Sequence, residues 1–201
     1  MACAFLVKVG LTGGIGCGKS TVVGLFRNAG WQALESDQIV RDLLATDPVI
    51  KEAIRKRWGG EVILEKGGVN RRAVAEHVFA NKNDLLWLES LLHPLVRSAW
   101  QGEVASRPDV NWLVEIPLLF EKSLETVFDL TVCVSSPPDV VETRMAARGY
   151  TGEEVDRRRQ RQMPLEDKMR LADHVITNAG SLEFLEQQTK RLIAQISGIQ
   201  S

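Results

Sequence analysis

The sequence carries the run Gly13-Gly14-Ile15-Gly16-Cys17-Gly18-Lys19-Ser20 near its start, and this run fits the phosphate-binding pattern G-x-x-x-x-G-K-[ST] without a mismatch. Glycine suits such a loop because it lacks a Cβ and tolerates positive φ, so several backbone N–H groups can surround one phosphate. In this pattern Lys19 reaches the β- and γ-phosphates, and the Ser20 hydroxyl binds Mg²⁺. The run therefore predicts a loop that binds a nucleoside triphosphate with Mg²⁺.

The residues on either side of the loop favour a strand before it and a helix after it. Phe5–Val9 has the pattern of a strand, and Ser20–Ala29 has that of a helix ending at Gly30. The positive end of the helix dipole then faces the phosphates. The alternative, a glycine-rich turn that contains Gly-Lys-Ser by chance, is disfavoured by this order of elements. We expect nucleotide contacts from Gly14, Gly16, Cys17, Gly18, Lys19, Ser20, Thr21 and, after the last predicted strand, Asn178.

The composition is ordinary for a globular protein, with 201 residues, 44% hydrophobic and 25% charged residues, and a formal net charge of −1. The length predicts one domain. The near-neutral charge argues against broad nucleic-acid binding, and no apolar run approaches the roughly 18 residues that span a bilayer. Three cysteines without a C-x-x-C pair fit a reducing cytoplasm and argue against a zinc site. We expect a cytoplasmic protein that acts on small molecules, with its oligomeric state open.

The segment between the second and third predicted strands is mostly helical in pattern. The second strand, Trp31–Leu34, leads to Glu35-Ser36-Asp37, and Asp37 has the position of an N-cap for the helix that follows it. Later helices are predicted from Pro48 to Trp58 behind the N-cap Asp47, over Arg71–Ala80 behind Asn70, over Leu85–Leu92 behind Asp84, and from Leu95 after His93-Pro94. Roughly 70 helical residues are too many for one crossover. We therefore expect residues 37–107 to form an inserted helical subdomain that closes over a second substrate.

One stretch of this segment, Asn81-Lys82-Asn83-Asp84, also matches the guanine-reading N-K-x-D pattern of GTPases. That pattern should follow a buried strand late in the fold, whereas here it lies between amphipathic helices. The sequence also offers no preceding D-x-x-G candidate. A turn between two helices is therefore the favoured interpretation.

Three further strands are predicted at Trp112–Ile116, Leu130–Val134 and His174–Thr177. Because strands alternate with helices, the fold class is α/β with a doubly wound, five-stranded parallel sheet. This core comprises residues 1–36, 108–143 and 171–201. Sites in such sheets lie at the carboxyl ends of the strands. Glu115 lies at one such end, where a phosphate-loop enzyme holds its second Mg²⁺-side carboxylate.

Residues 144–170 differ in character, with a net charge of +3 in a chain of net charge −1. Thr151 and Glu154 form a capping box for a helix in this segment. A solvated amphipathic helix explains most such charge runs. In phosphate-loop kinases, however, an arginine-rich lid follows the fourth strand and stabilises charge on the transferred phosphoryl group. We therefore interpret residues 144–170 as a lid, with Arg144 and Arg148 as candidate catalytic residues.

With these residues in view, nearly the whole chain resembles the dephospho-coenzyme A kinase family. The resemblance rests on the loop from Gly10 to Ser20, Asp37 with Ile39 and Arg41, Asn70-Arg71, His93-Pro94, the run from Glu115 to Glu121, Gln162, Lys168, Ala172-Asp173 and Asn178. It implies transfer of the γ-phosphoryl group of ATP to the ribose 3′-hydroxyl of dephospho-coenzyme A. It also implies a helical coenzyme-A-binding subdomain and a lid, as the residue patterns do.

The resemblance implies roles for individual residues as well. Asp37 acts on the acceptor hydroxyl, and Arg71, His93 and Leu118 contact dephospho-coenzyme A. This chain departs from the family where Glu35-Ser36-Asp37 replaces the usual Asp-Ala-Asp, where Cys17 replaces a common serine, and where Val141 stands near a frequent glutamine.

Two other functions compete with this assignment. A GTPase-like switch is disfavoured, because its two guanine-nucleotide motifs are missing or misplaced. A nucleoside or nucleoside-monophosphate kinase would share the same core and the same phosphate loop. Only the resemblance separates that second alternative from the favoured one.

Overall fold

The computed structural model describes residues 6–65 and 67–198. Its sheet has five parallel strands in the order β2-β3-β1-β4-β5, so the predicted fold class is confirmed. The strands are β1 (Lys8–Gly13), β2 (Gln32–Glu35), β3 (Trp112–Glu115), β4 (Leu130–Ser135) and β5 (His174–Thr177). Phe5, with which the predicted first strand begins, lies outside the described residues.

Helices connect these strands and form the segment between β2 and β3. They are α1 (Lys19–Asn28), α2 (Ser36–Thr46), α3 (Pro48–Trp58), α4 (Arg71–Ala80), α5 (Lys82–Ser106), α6 (Pro138–Ala147), α7 (Gly152–Arg159), α8 (Leu165–Leu171) and α9 (Leu182–Gly198). In the part of the chain that the structure describes, no helix is both long enough and apolar enough to cross a membrane.

The central strand β1 pairs with β3 on one side and β4 on the other. Helices cover both faces of such a sheet, so its central strands β1, β3 and β4 are mostly apolar and almost completely buried. Val22, Val23 and Phe26 of α1 pack into the same core. This packing fixes the end of β1 and the start of α1, between which the phosphate loop lies.

The chain divides into two compact units, Met1–Glu35 with Arg107–Ser201, and Ser36–Ser106. The first contains the sheet and its core. The second consists of α2 to α5 around its own apolar cluster, which includes Ile50, Ile54 and Trp58. Within this unit Trp58 stacks on His77 and meets Trp87 edge-on, with ring centroids 5.2 Å and 5.1 Å apart.

The sequence prediction of a helix break at His93-Pro94 is wrong, because α5 continues through Pro94 to Ser106. A proline inside a helix removes one backbone hydrogen bond and costs about 3 kcal/mol. Leu92, Val96 and Trp100 are nevertheless buried along one face of α5. Burial of large apolar side chains contributes roughly 1.5–3 kcal/mol each, which outweighs the cost of the proline.

Two predicted N-caps are also wrong, because both helices begin earlier than expected. Asp84 lies in the first turn of α5, and Asn81 precedes that helix and accepts the backbone N–H of Asn83. Asp37 likewise lies in the first turn of α2, which begins at Ser36. The caps at Asp47, Asn70 and Thr151 are confirmed by hydrogen bonds from backbone N–H groups to their side chains.

Candidate active site

The phosphate loop connects β1 to α1 and depends on glycine at two close approaches. Gly13 and Gly18 have φ of 144° and 91°, in the region that glycine favours. A Cβ on Gly13 would collide with the carbonyl oxygen of Val134, and one on Gly18 with the side-chain amide of Asn178. The loop is thus pressed against β4 and the residue that follows β5.

Lys19 begins α1 and lies over the loop. Its Nζ donates hydrogen bonds to the carbonyl oxygens of Gly13 at 3.2 Å and Gly14 at 3.0 Å, and lies 3.9 Å from Oε1 of Glu115. Glu115 ends β3, pairs in register with Leu11 of β1, and is only 5% exposed. The parallel sheet therefore brings the predicted phosphate-binding lysine and the predicted metal-side carboxylate together.

Among the described residues, no group of three or more histidine, cysteine or acidic side chains could hold a metal ion. Mg²⁺, however, is usually bound through one or two carboxylates together with the phosphates of a substrate. The exposed Ser20 hydroxyl in the first turn of α1 and the Glu115 carboxylate beside Lys19 offer this oxygen chemistry. The residues present fit a magnesium ion that arrives with the nucleotide.

A hydrogen-bonded cluster holds the middle of the phosphate loop from behind. The carbonyl oxygen of Cys17 accepts from Asn178 Nδ2 at 3.0 Å and from Ser136 Oγ at 3.3 Å. Arg144 donates to Asn178 Oδ1 at 3.0 Å and to Ser136 Oγ at 3.1 Å. Arg144 and Asn178, which were predicted separately, thus share one network that ends on the loop.

Cys17 is 1% exposed and packs within the apolar core. Burial raises the pKa of its thiol, against an opposing effect of the Lys19 charge. A thiol held protonated is a poor nucleophile. The part of Cys17 that serves the loop is therefore its backbone.

A cavity of about 310 Å³ adjoins the loop on the side of the charged segment. Gly14, Ile15 and Cys17 line it from the loop, Ser136, Pro138 and Val141 line it from the region after β4, and Arg159 with residues 162–166 completes it. Of the segment predicted as a lid, Arg159, Gln162 and Glu166 thus bring polar side chains to this cavity.

The remaining predicted residues fall into two groups. Leu118, half-buried, and Arg148, exposed at the C-cap of α6, belong to the unit with the sheet. Asp37, Arg71 and His93 belong to the helical unit: Asp37 and Arg71 are exposed in the first turns of α2 and α4, and His93 is half-buried within α5.

Sequence reasoning missed Ser136 and the role of Lys168. Ser136 directly follows β4, so the rule that sites lie at strand ends could have found it. Lys168 was counted with the charged segment but is fully buried, against Glu121. Neither residue type nor spacing could have predicted that partner.

The comparisons with known proteins bear on the same residues. The family model described as dephospho-CoA kinase matches residues 7–183, which include the phosphate loop, Glu115, Arg144 and Asn178. The chain belongs to the dephospho-CoA kinase family. It is 32% identical over 191 residues to the dephospho-CoA kinase of Aquifex aeolicus, covering 94% of this chain and 97% of the relative.

Other members of the dephospho-CoA kinase family agree with this assignment. The enzyme of that name from Thermus thermophilus is 39% identical over 193 residues, covering 96% of this chain and 93% of the relative. The solved structure of dephospho-CoA kinase from Campylobacter jejuni superposes with a TM-score of 0.73 at 25% identity, covering 96% of this chain and 98% of that one. The likeness in sequence and in fold therefore extends over nearly the whole chain.

Proposed function

We propose that this chain transfers the γ-phosphoryl group of ATP to the ribose 3′-hydroxyl of dephospho-coenzyme A, giving coenzyme A and ADP. The observation that carries the proposal is the pairing of Lys19 with Glu115 beside a complete phosphate loop, in a member of the dephospho-CoA kinase family. We assign the acceptor site mainly to the helical unit Ser36–Ser106, because the candidate nucleotide-binding residues lie in the sheet unit.

In this reaction the acceptor oxygen forms a bond to the γ-phosphorus, and the bond from that phosphorus to the β–γ bridging oxygen breaks. The electron pair of the broken bond leaves with ADP. The backbone N–H groups of residues 14–21 and the ammonium of Lys19 stabilise the negative charge on the phosphate oxygens. Catalysis of this kind rests on positioning and electrostatics more than on covalent chemistry.

Ser20 and Glu115 would hold Mg²⁺, which neutralises charge on the β- and γ-phosphates when it is bound. We assign the proton of the acceptor hydroxyl to the carboxylate of Asp37, which is exposed at the start of α2. Arg71, His93 and Leu118 are proposed contacts to dephospho-coenzyme A. These roles follow from the family resemblance and from the exposed or half-buried state of the side chains.

The segment 144–170 supplies the lid in this proposal. Arg148 and Arg144 provide positive charge for the transferred phosphoryl group, and Arg144 also supports the loop through Asn178. A cytoplasmic location belongs to the same proposal, because three cysteines without a C-x-x-C pair fit a reducing compartment.

An ADP-release assay with Mg·ATP and a small acceptor panel tests the proposal. The panel contains dephospho-coenzyme A, AMP, CMP, uridine and pantothenate, and the products are identified by mass spectrometry. We expect ADP release and a phosphorylated product with dephospho-coenzyme A. Turnover with AMP, CMP or uridine in its place would make the chain a nucleoside or nucleoside-monophosphate kinase and overturn the proposal.

A further inference from the structure

Lys168 of α8 is a lysine whose side chain has no exposed surface. Its Nζ lies 2.8 Å from Oε1 of Glu121 and donates a hydrogen bond of 2.6 Å to the carbonyl oxygen of Pro117. A charged group is buried in a protein only where it is paired and hydrogen-bonded. Both partners of Lys168 lie in one loop, residues 117–121, which follows β3 and its terminal Glu115.

The same two acceptors connect that loop to other parts of the sheet unit. Oε1 of Glu121 also accepts the backbone N–H of Met163 at 2.7 Å, just before α8. The carbonyl oxygen of Pro117 also accepts from Oγ1 of Thr12 at 3.2 Å, one residue before the phosphate loop begins. The loop 117–121 is thereby tied to the end of β1, to α8 and to the residues that lead into α8.

Leu165, the first residue of α8, lies beside Gly14 of the phosphate loop. The two residues line the same cavity, and a Cβ built on Gly14, which glycine itself lacks, would lie 3.5 Å from the Leu165 side chain. Leu165 and Lys168 are three residues apart on one helix, so they lie on the same face. Anchoring of Lys168 therefore also restrains the position of Leu165 beside the phosphate loop.

We infer that Glu121 and Lys168 form a positioning pair that holds the loop 117–121 in a fixed position relative to the phosphate loop. Stability alone does not explain the pair, since a buried ion pair can often be replaced by uncharged residues of similar size at little cost. Holding a loop that carries a substrate contact explains it better. The inference rests on the proposed function through Leu118, the proposed contact to dephospho-coenzyme A in this loop.

The test replaces both charges at once, by Lys168→Met with Glu121→Gln. Glutamine still accepts the Met163 N–H, whereas methionine fills the space of lysine without donating to Pro117. The matched control is Arg170→Met with Asp167→Asn, an exposed ion pair of 2.7 Å on the same helix. Both double variants remove one cation and one anion from α8 and its contacts.

We expect the buried double variant to fold, to bind ATP within about twofold of the parent, and to lose at least about tenfold in kcat/KM for dephospho-coenzyme A, as misplaced substrate contacts do. Hydrogen exchange should become faster at the amides of Lys122, Ser123 and Leu124, which donate to carbonyls of residues 118–120. In the control variant, both kcat/KM for dephospho-coenzyme A and hydrogen exchange at these three amides should equal those of the parent.

An unchanged kcat/KM and unchanged exchange, with only a lower melting temperature, would reduce the pair to a structural role and overturn the inference. If the double variant does not fold, Glu121→Gln alone is measured in the same way, and parental exchange at the three amides overturns the inference. Exchange and ATP binding do not depend on turnover. A parent enzyme inactive on dephospho-coenzyme A would therefore refute the proposed function, while the exchange and ATP-binding comparison would still test the positioning pair.

Discussion

The side-chain N–H of Asn178 donates a hydrogen bond of 3.0 Å to the backbone carbonyl of Cys17, in the middle of the phosphate loop. In a trans peptide unit the carbonyl and the following N–H point in opposite directions. A carbonyl of Cys17 held towards Asn178 therefore aims the N–H of Gly18 away from it. Asn178 therefore orients a peptide of the phosphate loop, and we propose that it contributes to nucleotide binding in this way.

Replacement of Asn178 tests this relationship. Asn178→Asp keeps the size of the side chain, removes the donor and sets a carboxylate oxygen against the Cys17 carbonyl. A lost hydrogen bond of this kind costs about 0.5–1.5 kcal/mol, and the added repulsion makes a tenfold or larger rise in the Kd for ATP the expected result. Isothermal titration calorimetry measures it, with Asn83→Asp at an exposed position of α5 as the control. A Kd within about twofold of the parent would contradict the role of Asn178.

Lys19 supplies the second prediction. Its side chain donates to two carbonyls of its own loop and is not part of the apolar core, so Lys19→Ala should fold. We expect kcat to fall by roughly 10²–10³, as it does when one preorganised donor to developing charge is removed. Steady-state ADP release measures this loss, and Lys8→Ala, an exposed lysine in β1, is the control. Turnover near the parental rate would show that Lys19 has no catalytic role.

The two candidate lid arginines should behave differently when each is replaced by alanine. Arg144 bonds to Asn178 and Ser136 behind the loop, so Arg144→Ala should weaken ATP binding as well as lower kcat. Arg148 is exposed at the end of α6, so Arg148→Ala should lower kcat and leave the Kd for ATP unchanged. Exposed Arg157 gives the control substitution. Equal Kd values for ATP in all three variants would show that Arg144 does not support ATP binding by the phosphate loop.

The sequence was sufficient to predict the phosphate loop, the five parallel strands and several helix caps. These features depend on short-range signals: glycine spacing, apolar runs, and side chains that accept the N–H groups two or three residues ahead. Asn70 and Thr151 are examples, since their partners lie within the same helical turn. The predicted ends of β3 and β5 likewise located Glu115 and Asn178 at the edge of the sheet where the phosphate loop lies.

Features that depend on distant partners could not be predicted from the sequence. Pro94 indicates a helix break, and only the burial of Leu92, Val96 and Trp100 keeps α5 continuous. Lys168 looks like one more cation in a charged segment, and only the folded chain brings Glu121 beside it. Sequence rules of this kind describe the intrinsic conformational preferences of a short segment. Tertiary packing decides where those preferences are overridden.

Buried cysteine gives a prediction that depends on pH. Burial raises the pKa of the Cys133 thiol to about 11, mainly because the thiolate loses its hydration. At pH 8 only about one thiol in a thousand is then ionised, so alkylation of Cys133 by iodoacetamide should be very slow in the folded protein and fast in denaturant. Peptide mass spectrometry measures the two rates. Equal rates would mean that the thiol is accessible and its pKa ordinary.

The same raised pKa affects stability. The folded state holds this proton more tightly than the unfolded state, whose thiol ionises near pH 9.0. The contribution of Cys133 to stability is therefore fully present below pH 9.0 and is lost as pH rises through about 11. Denaturant unfolding at several pH values should show a smaller decline for Cys133→Ala than for the parent, and identical declines would contradict the assignment.

Asp37 gives the sharpest prediction for the reaction itself. Because α2 begins at Ser36, Asp37 is not the N-cap but an exposed charge in the first turn. Asp37→Asn removes a favourable interaction with the helix dipole that is worth about 0.3–1 kcal/mol, so the variant should remain folded. Asparagine cannot take a proton from the acceptor hydroxyl. We expect the transfer to slow by at least about 100-fold, the lower part of the range for a positioned base, with the Kd for ATP unchanged.

Asp42→Asn is the matched control, because Asp42 is an exposed acid on the same helix and accepts a hydrogen bond from Gln38. Thermal melting, ATP binding and ADP release are measured for the parent and both variants. Loss of turnover in Asp37→Asn alone, with similar melting temperatures in all three, assigns the proton transfer or its orientation to Asp37. If Asp37→Asn turns over near the parental rate, its charge serves only the helix, and Glu115 becomes the carboxylate to test next.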